Sequence, residues 1–176
     1  MNDFKLAEVW NRYTNRSFSE KNDISEQQIE LLFEAAGRAP SSFNAQPWRF
    51  IYGEKGSQVG EQLFSLLKES NATWARNASW YVLLGAVETV LFKGSEIKND
   101  KAFFDSGAAC QNFVLQATHM GLATAVIGGF DYQAAATLVG NYMTPVCMII
   151  VGHFDDAEPK VSTRRALSEI AKKTFE

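Results

Sequence analysis

The residues of this chain best suited to chemistry are arginines, hydroxyls, amides and glycines gathered in four short segments. In residues 12–18, Arg12 and Arg16 place two guanidiniums four residues apart, with the hydroxyl of Thr14 between them. Guanidinium forks match phosphate oxygens and a threonine can donate as well, so this segment can converge on one phosphate if it leaves its helix here. A solvated helix end has the same composition. Residues 39–48 read A-P-S-S-F-N-A-Q-P-W and put Ser41, Ser42, Asn44 and Gln46 on a loop bracketed by Pro40 and Pro47. Such a stiffened loop suits the presentation of amides and hydroxyls to a flat heterocycle, and also a plain connection. Gly128 and Gly129 end a β-branched run. Paired glycines let backbone N–H groups approach a ligand closely, or simply turn the chain. Arg164 and Arg165 precede a C-terminal helical pattern, either as an anion site at a helix N-terminus or as a solvated helix start.

Other chemistries lack their parts. His119 and His153 have no carboxylate or serine partner nearby in sequence, so neither receives a site role and no side chain is read as catalytic. No G-x-x-x-x-G-K-[ST], H-E-x-x-H, EF-hand loop or G-x-S-x-G occurs. Cys110 and Cys147 each lie in an apolar run, outside any C-x-x-C or Cys/His cluster, so no metal site or disulfide framework is expected and a reducing compartment fits. With 17 Lys+Arg against 20 Asp+Glu, net charge -3, the chain has no basic field for a nucleic acid. The start has no basic stretch followed by an apolar one, and the apolar runs around residues 80–87 and 146–151 are too short for a bilayer. A soluble, uncleaved cytoplasmic protein with no membrane or nucleic-acid partner is the expectation.

These segments need elements to position them. No repeat or linker divides the 176 residues, so one domain over 1–176 is expected. Ser25 and Gln28 have capping-box spacing and start a helix whose Ile29, Leu32, Phe33 and Ala36 share one face, ending at Gly37 and Pro40. A short helix over residues 6–13 precedes it, and residues 48–52 and 56–69 read as strand then helix. Residues 79–87 and 146–154 are continuous apolar runs, the pattern of strands buried on both faces, so helices should cover both sides of a central sheet. Asp105 or Ser106 is placed to cap a helix running to Met120, followed by a strand over 122–127, and residues 166–172 form a last helix. The polar stretch 92–101 reads as a surface connection.

The ordered segments resemble the nitroreductase family of flavoproteins. The resemblance rests on R-x-T-x-R-x-F at residues 12–18, A-P-S-S-x-N-x-Q-P-W at 39–48 and D-x-G-A-A-x-Q-N at 105–112. It continues through G-L-x-T and G-G-F-D between 121 and 131 and R-x-L-x-E-I at 165–170. It implies an α+β fold, a three-layer α/β/α sandwich around a mixed, mainly antiparallel sheet, in an intertwined homodimer with two FMN molecules at the interface. By resemblance, Arg12, Thr14, Arg16 and either Arg164 or Arg165 hold the FMN phosphate and ribityl end. Pro40, Ser41, Ser42 and Asn44 approach from the partner subunit, Asn71 lies near the pyrimidine edge, and Gly128 and Gly129 match the segment whose amide meets N5. The implied activity is ping-pong hydride transfer from NADH or NADPH through FMN to an electron-poor small molecule such as a nitroaromatic or quinone. The same fold also hosts semialdehyde and enone reductases and dehalogenases, and a non-enzymatic flavin binder is a third class. Two features depart from the pattern: Gly128 stands where many relatives carry Glu, and the stretch between Val87 and Asp105 is short, leaving the pocket open or partly unformed.

Overall fold

The computed structural model describes residues 5–160 and 162–173. Its centre is a four-stranded sheet of β1 (Trp48–Glu54), β2 (Trp80–Ala86), β6 (Thr144–Gly152) and β5 (Ala123–Ile127), in that spatial order. All its pairings are antiparallel among the described residues, with Trp48 opposite Ala86, Trp80 opposite Val151, and Ala123 opposite Gly152. The register follows the period-two pleat. Val82, Leu84, Cys147, Ile149 and Val151 face one core, while Tyr81, Leu83, Met148 and Ile150 face the other. Both runs are buried on both sides because helices cover both faces, as the continuous apolar pattern requires.

The first core is roofed by α2 (Glu26–Gly37) and α5 (Ala102–His119). The capping box forms as read, with the Ser25 side chain accepting from the Gln28 amide and the Gln28 side chain from the Ser25 amide. Trp80 then donates from Nε1 to the Ile24 carbonyl at 2.9 Å, so the helix entry is tied to β2 from inside the core. The second core lies under α3 (Gln58–Ser65), α4 (Glu69–Ala75) and α6 (Tyr132–Val139).

Several boundaries differ from expectation for tertiary reasons. The helix read over 56–69 is broken into α3 and α4, because Leu67 pairs with Phe130 and the Leu66 carbonyl accepts from the Asp131 amide at 2.8 Å. Residues 92–101 are not a plain connection: most of them belong to the hairpin of β3 (Thr89–Phe92) and β4 (Ser95–Lys98). Neither Asp105 nor Ser106 caps α5, which starts at Ala102, while Asn99 Oδ1 accepts from the Lys101 amide at 3.1 Å. The first helix is only α1 (Ala7–Asn11), and its Leu6, Val9 and Trp10 are exposed. The last, α7 (Leu167–Ile170), has one turn rather than residues 166–172. Both histidines find a carboxylate through the fold: His119 meets Glu8 at 2.7 Å and His153 meets Asp23 at 2.6 Å. The His119 contact holds the Glu8 carboxyl below its ordinary range. Among the described residues no helix is long and apolar enough to cross a membrane.

Candidate functional site

β5 is an edge strand, and two of the chemically suited segments sit at its two ends. At the start, α1 terminates and Arg12 turns extended (φ -66, ψ 126), so the arginine segment does leave its helix. Its backbone is laid onto the sheet: the Asn15 amide donates to the Thr124 carbonyl at 2.9 Å and the Ser19 amide to the His153 carbonyl at 3.1 Å. Asn15 is buried and donates from Nδ2 to the Ser17 carbonyl, and Ser17 Oγ bonds the Asp155 carboxylate. Phe18 is the plug. A Cβ on Gly152 would lie 2.7 Å from its ring, so only glycine at the end of β6 lets the aromatic seat there, stacked on Trp74.

This framing leaves the intervening polar side chains outward. Tyr13, Thr14, Arg16 and Ser17 line a cleft of about 380 Å³, closed on the other side by Glu158, Lys160 and Ser162. Among the described residues no carboxylate pairs with Arg12 or Arg16. Burial, with Asp155 nearby, raises the Tyr13 phenol above its ordinary range, so it stays a neutral donor. Ser162 opens the C-terminal arginine segment singled out from the sequence, whereas Lys160 was missed, because an isolated lysine in a polar tail carries no periodic or motif signal. The arginines expected there lie elsewhere: Arg164 donates to the Ser162 and Thr163 carbonyls, and Arg165 faces Glu169 at 3.7 Å. Neither lines the cleft, nor does Arg12.

At the far end of β5, Gly128 and Gly129 leave the sheet. Among the described residues their amide N–H groups reach no acceptor. The Gly129 carbonyl accepts from Asn71 Nδ2 at 2.8 Å, which joins two residues 58 apart in sequence that were both assigned to one site. The same segment is pinned to the α3–α4 junction through Leu66 and Leu67, and Asp131 goes on to cap α6 by accepting from the Ala134 amide at 3.0 Å. Neither glycine has a left-handed backbone, so what glycine provides here is space: a Cβ on Gly129 would stand 3.3 Å from Asn71 Nδ2.

The third segment lies over the opposite sheet edge, where residues 39–48 lead into β1. Three of four consecutive residues adopt the left-handed region without being glycine: Phe43 (φ 53), Asn44 (φ 54) and Gln46 (φ 45). Such positions cost about 1–3 kcal/mol each and persist only where their surroundings impose them. Here the Gln46 amide donates to Ser41 Oγ at 3.0 Å, the Ser42 amide to Asp105 at 3.0 Å, and the Phe43 ring packs on Phe92 of β3 at 4.7 Å. Trp48 is buried in the first core, so it packs the loop. Pro40 and Asn44 are exposed, and Ser41 and Ser42 are half-buried. Among the described residues no hydrogen bond joins this loop to the arginine segment or to the glycine pair.

Comparison with known proteins gives this arrangement a lineage. The nitroreductase family model matches residues 9–153, which include the arginine segment, the strained loop, Asn71 and the glycine pair. Bacillus subtilis (strain 168) YdgI, whose name proposes an NAD(P)H nitroreductase, is 25% identical in an alignment that covers 97% of each chain. A solved oxidoreductase containing FMN superposes with a TM-score of 0.89 at 24% identity, over 100% of this chain and 96% of that one. A nitroreductase from Exiguobacterium sibiricum 255-15, solved in complex with FMN, gives 0.80 at 21% identity over 96% of both. An α+β sandwich with these segments in this order, matched by the family model over most of its length, makes the chain a member of the nitroreductase family.

Proposed function

We propose that this chain is an FMN-dependent oxidoreductase that carries reducing equivalents from NADH or NADPH to an electron-poor small molecule, a nitroaromatic or quinone, in ping-pong fashion through one pocket. Family membership and the names of its relatives support the cofactor and the donor. The observation that carries the reading is the donor set along β5, with a cationic cleft at one end and two unpaired backbone amides at the other. Thr124 and Gly129 are five positions apart along β5 and the turn that follows it, at most about 17 Å at about 3.4 Å per residue. An elongated ligand with a phosphate at one end and a flat polar ring at the other matches that spacing of charge and amide donors. The residues present therefore fit FMN.

In this reading Thr14 and Arg16 of the cleft, with Arg12 from the same segment but outside the cleft lining, hold the phosphate and ribityl end, and Lys160 and Ser162 complete the cleft in the place expected of Arg164 or Arg165. Glu158 in the same cleft opposes an anion, which makes the full cation set necessary. Asn71 orients the Gly128–Gly129 turn through the Gly129 carbonyl, leaving the two amides to serve as donors. Bound FMN would supply the redox chemistry by accepting hydride at N5 and returning electrons to the acceptor. The chain binds, orients and stabilises developing negative charge with arginine and amide donors, and no acid–base side chain is required.

The protein acts as a homodimer in this reading, with Pro40, Ser41, Ser42 and Asn44 supplied to each site by the other copy. Exposed apolar side chains support it: Phe104 is 79% exposed, Leu167 74% and Trp10 65%, more than a single copy covers. A cytoplasmic location fits two buried free thiols. The test is purification. The protein should be yellow, release about one FMN per chain on denaturation, and lose its colour when NADH or NADPH is added without oxygen. Colourless protein that takes up no added FMN would overturn the reading.

A further inference from the structure

The buried carboxyl of Asp105 is unexplained by the fold. Its side chain is buried at 4% exposure on α5, yet among the described residues no cation pairs with it. A buried, unpaired carboxylate is costly and is retained only where hydrogen bonds or a function compensate. Its position early in α5 supplies some compensation, from the positive end of the helix. The one side-chain hydrogen bond it makes among the described residues is across the fold: Oδ2 accepts from the Ser42 amide at 3.0 Å. Ser42 opens the turn in which Phe43, Asn44 and Gln46 hold left-handed backbone. Next to Asp105, Ser106 Oγ is fully buried without a partner, so this patch of α5 is not optimised for stability.

We propose that Asp105 is a positioning residue for the cofactor: it fixes the strained turn at residues 41–46 in the shape that receives FMN, without touching FMN itself. The inference rests on the flavin reading above. It assigns the D of the D-x-G-A-A-x-Q-N segment to the geometry of a loop more than sixty residues earlier, not to capping its own helix. The operative feature is the acceptor oxygen rather than the charge. An asparagine can keep that acceptor for the Ser42 amide.

The experiment measures FMN affinity of the apoprotein by quenching of FMN fluorescence, and amide hydrogen exchange of residues 40–47 without FMN. Asp105→Ala should weaken FMN at least tenfold and accelerate exchange across 40–47 while β2 exchanges as before. Asp105→Asn should stay within threefold of wild type in affinity, as should the control Ser106→Ala. Asp105→Ala that binds FMN within twofold of wild type, despite faster loop exchange, would overturn the proposal. So would Asp105→Asn as weak as Asp105→Ala, since charge would then be the operative feature. Should Asp105→Ala not fold, Asp105→Ser, which keeps a polar group but withdraws the acceptor from reach, is read in the same assays against the same limits. A wild-type apoprotein that takes up no FMN overturns the flavin reading and this role together. Normal wild-type binding with normal Asp105→Ala binding overturns the role alone.

Discussion

The arginine segment and the loop at residues 39–48 are built on opposite principles. Residues 12–18 run extended along the sheet, held by ordinary backbone hydrogen bonds, and their contribution is charge left unpaired in an acidic protein. The loop carries no charge through Trp48, and its contribution is shape, three left-handed non-glycine residues imposed by contacts at its base. Charge tolerates small displacements because its energy falls slowly with distance, whereas a strained turn works only in one conformation. The first region should therefore respond to removal of cations and to salt, the second to removal of supports.

The largest effect is expected from the charged region. Arg12→Ala with Arg16→Ala removes two sets of charge-assisted bonds, each worth about 1.5–3 kcal/mol, so FMN affinity by calorimetry should fall on the order of a hundredfold or more. Melting should change little, since neither guanidinium pairs with a carboxylate among the described residues. Unaltered affinity would return these arginines to the solvated surface.

Gly129→Val comes next and probes the joint between regions. The added Cβ meets Asn71 Nδ2 at 3.3 Å and the branch pushes that amide from the Gly129 carbonyl, so the turn loses its orientation but not its fold. FMN content after gel filtration should drop about tenfold, with a melting temperature within a few degrees of wild type, because the cost is about one hydrogen bond. Full flavin occupancy would reduce the glycine pair to a turn.

Salt sharpens the contrast. Between low salt and about 0.5 M, screening lengths shrink well below the reach of the cleft, and wild-type FMN affinity should weaken several-fold. The arginine double variant should show a much shallower dependence. Equal slopes would mean that the cleft does not bind through charge.

The smallest effect is a stability change. Gln46→Gly relieves a left-handed residue worth about 1–2 kcal/mol, less about 0.5–1 kcal/mol of glycine entropy, and should raise the apoprotein melting temperature by a few degrees at most. Thr14→Gly, at a position without left-handed backbone, should only lower it. The reverse order in thermal scans would break the strained-versus-relaxed distinction.

Legibility divides along the same line. The sheet and α2 could be read because burial repeats with the pleat or the helix turn: Ile29, Leu32 and Ala36 are all fully buried, as their spacing required. The arginine and glycine segments could be read because their residue types carry chemistry. α6 went unread, being only eight residues long, although Asp131 before it and Gly140 after it are ordinary end signals. The β3–β4 hairpin went unread because β4 is exposed on both faces and has no alternation. The shape of the 39–48 loop was invisible because Phe43 and Gln46 have no intrinsic left-handed preference; it is imposed by Asp105 and Phe92, distant in sequence.

The central claim is that one site takes its charge from one copy and its shape from the other. Two differently tagged copies, one Arg12→Ala with Arg16→Ala and one Ser41→Trp, can be co-expressed and the mixed pair isolated by sequential affinity steps. Each variant homodimer should bind little or no FMN. The mixed dimer contains one doubly damaged and one intact site, so it should recover about half of the wild-type FMN content and half of the NAD(P)H-dependent bleaching. A mixed dimer as empty as its parents would place both regions of each site within a single chain and contradict the account.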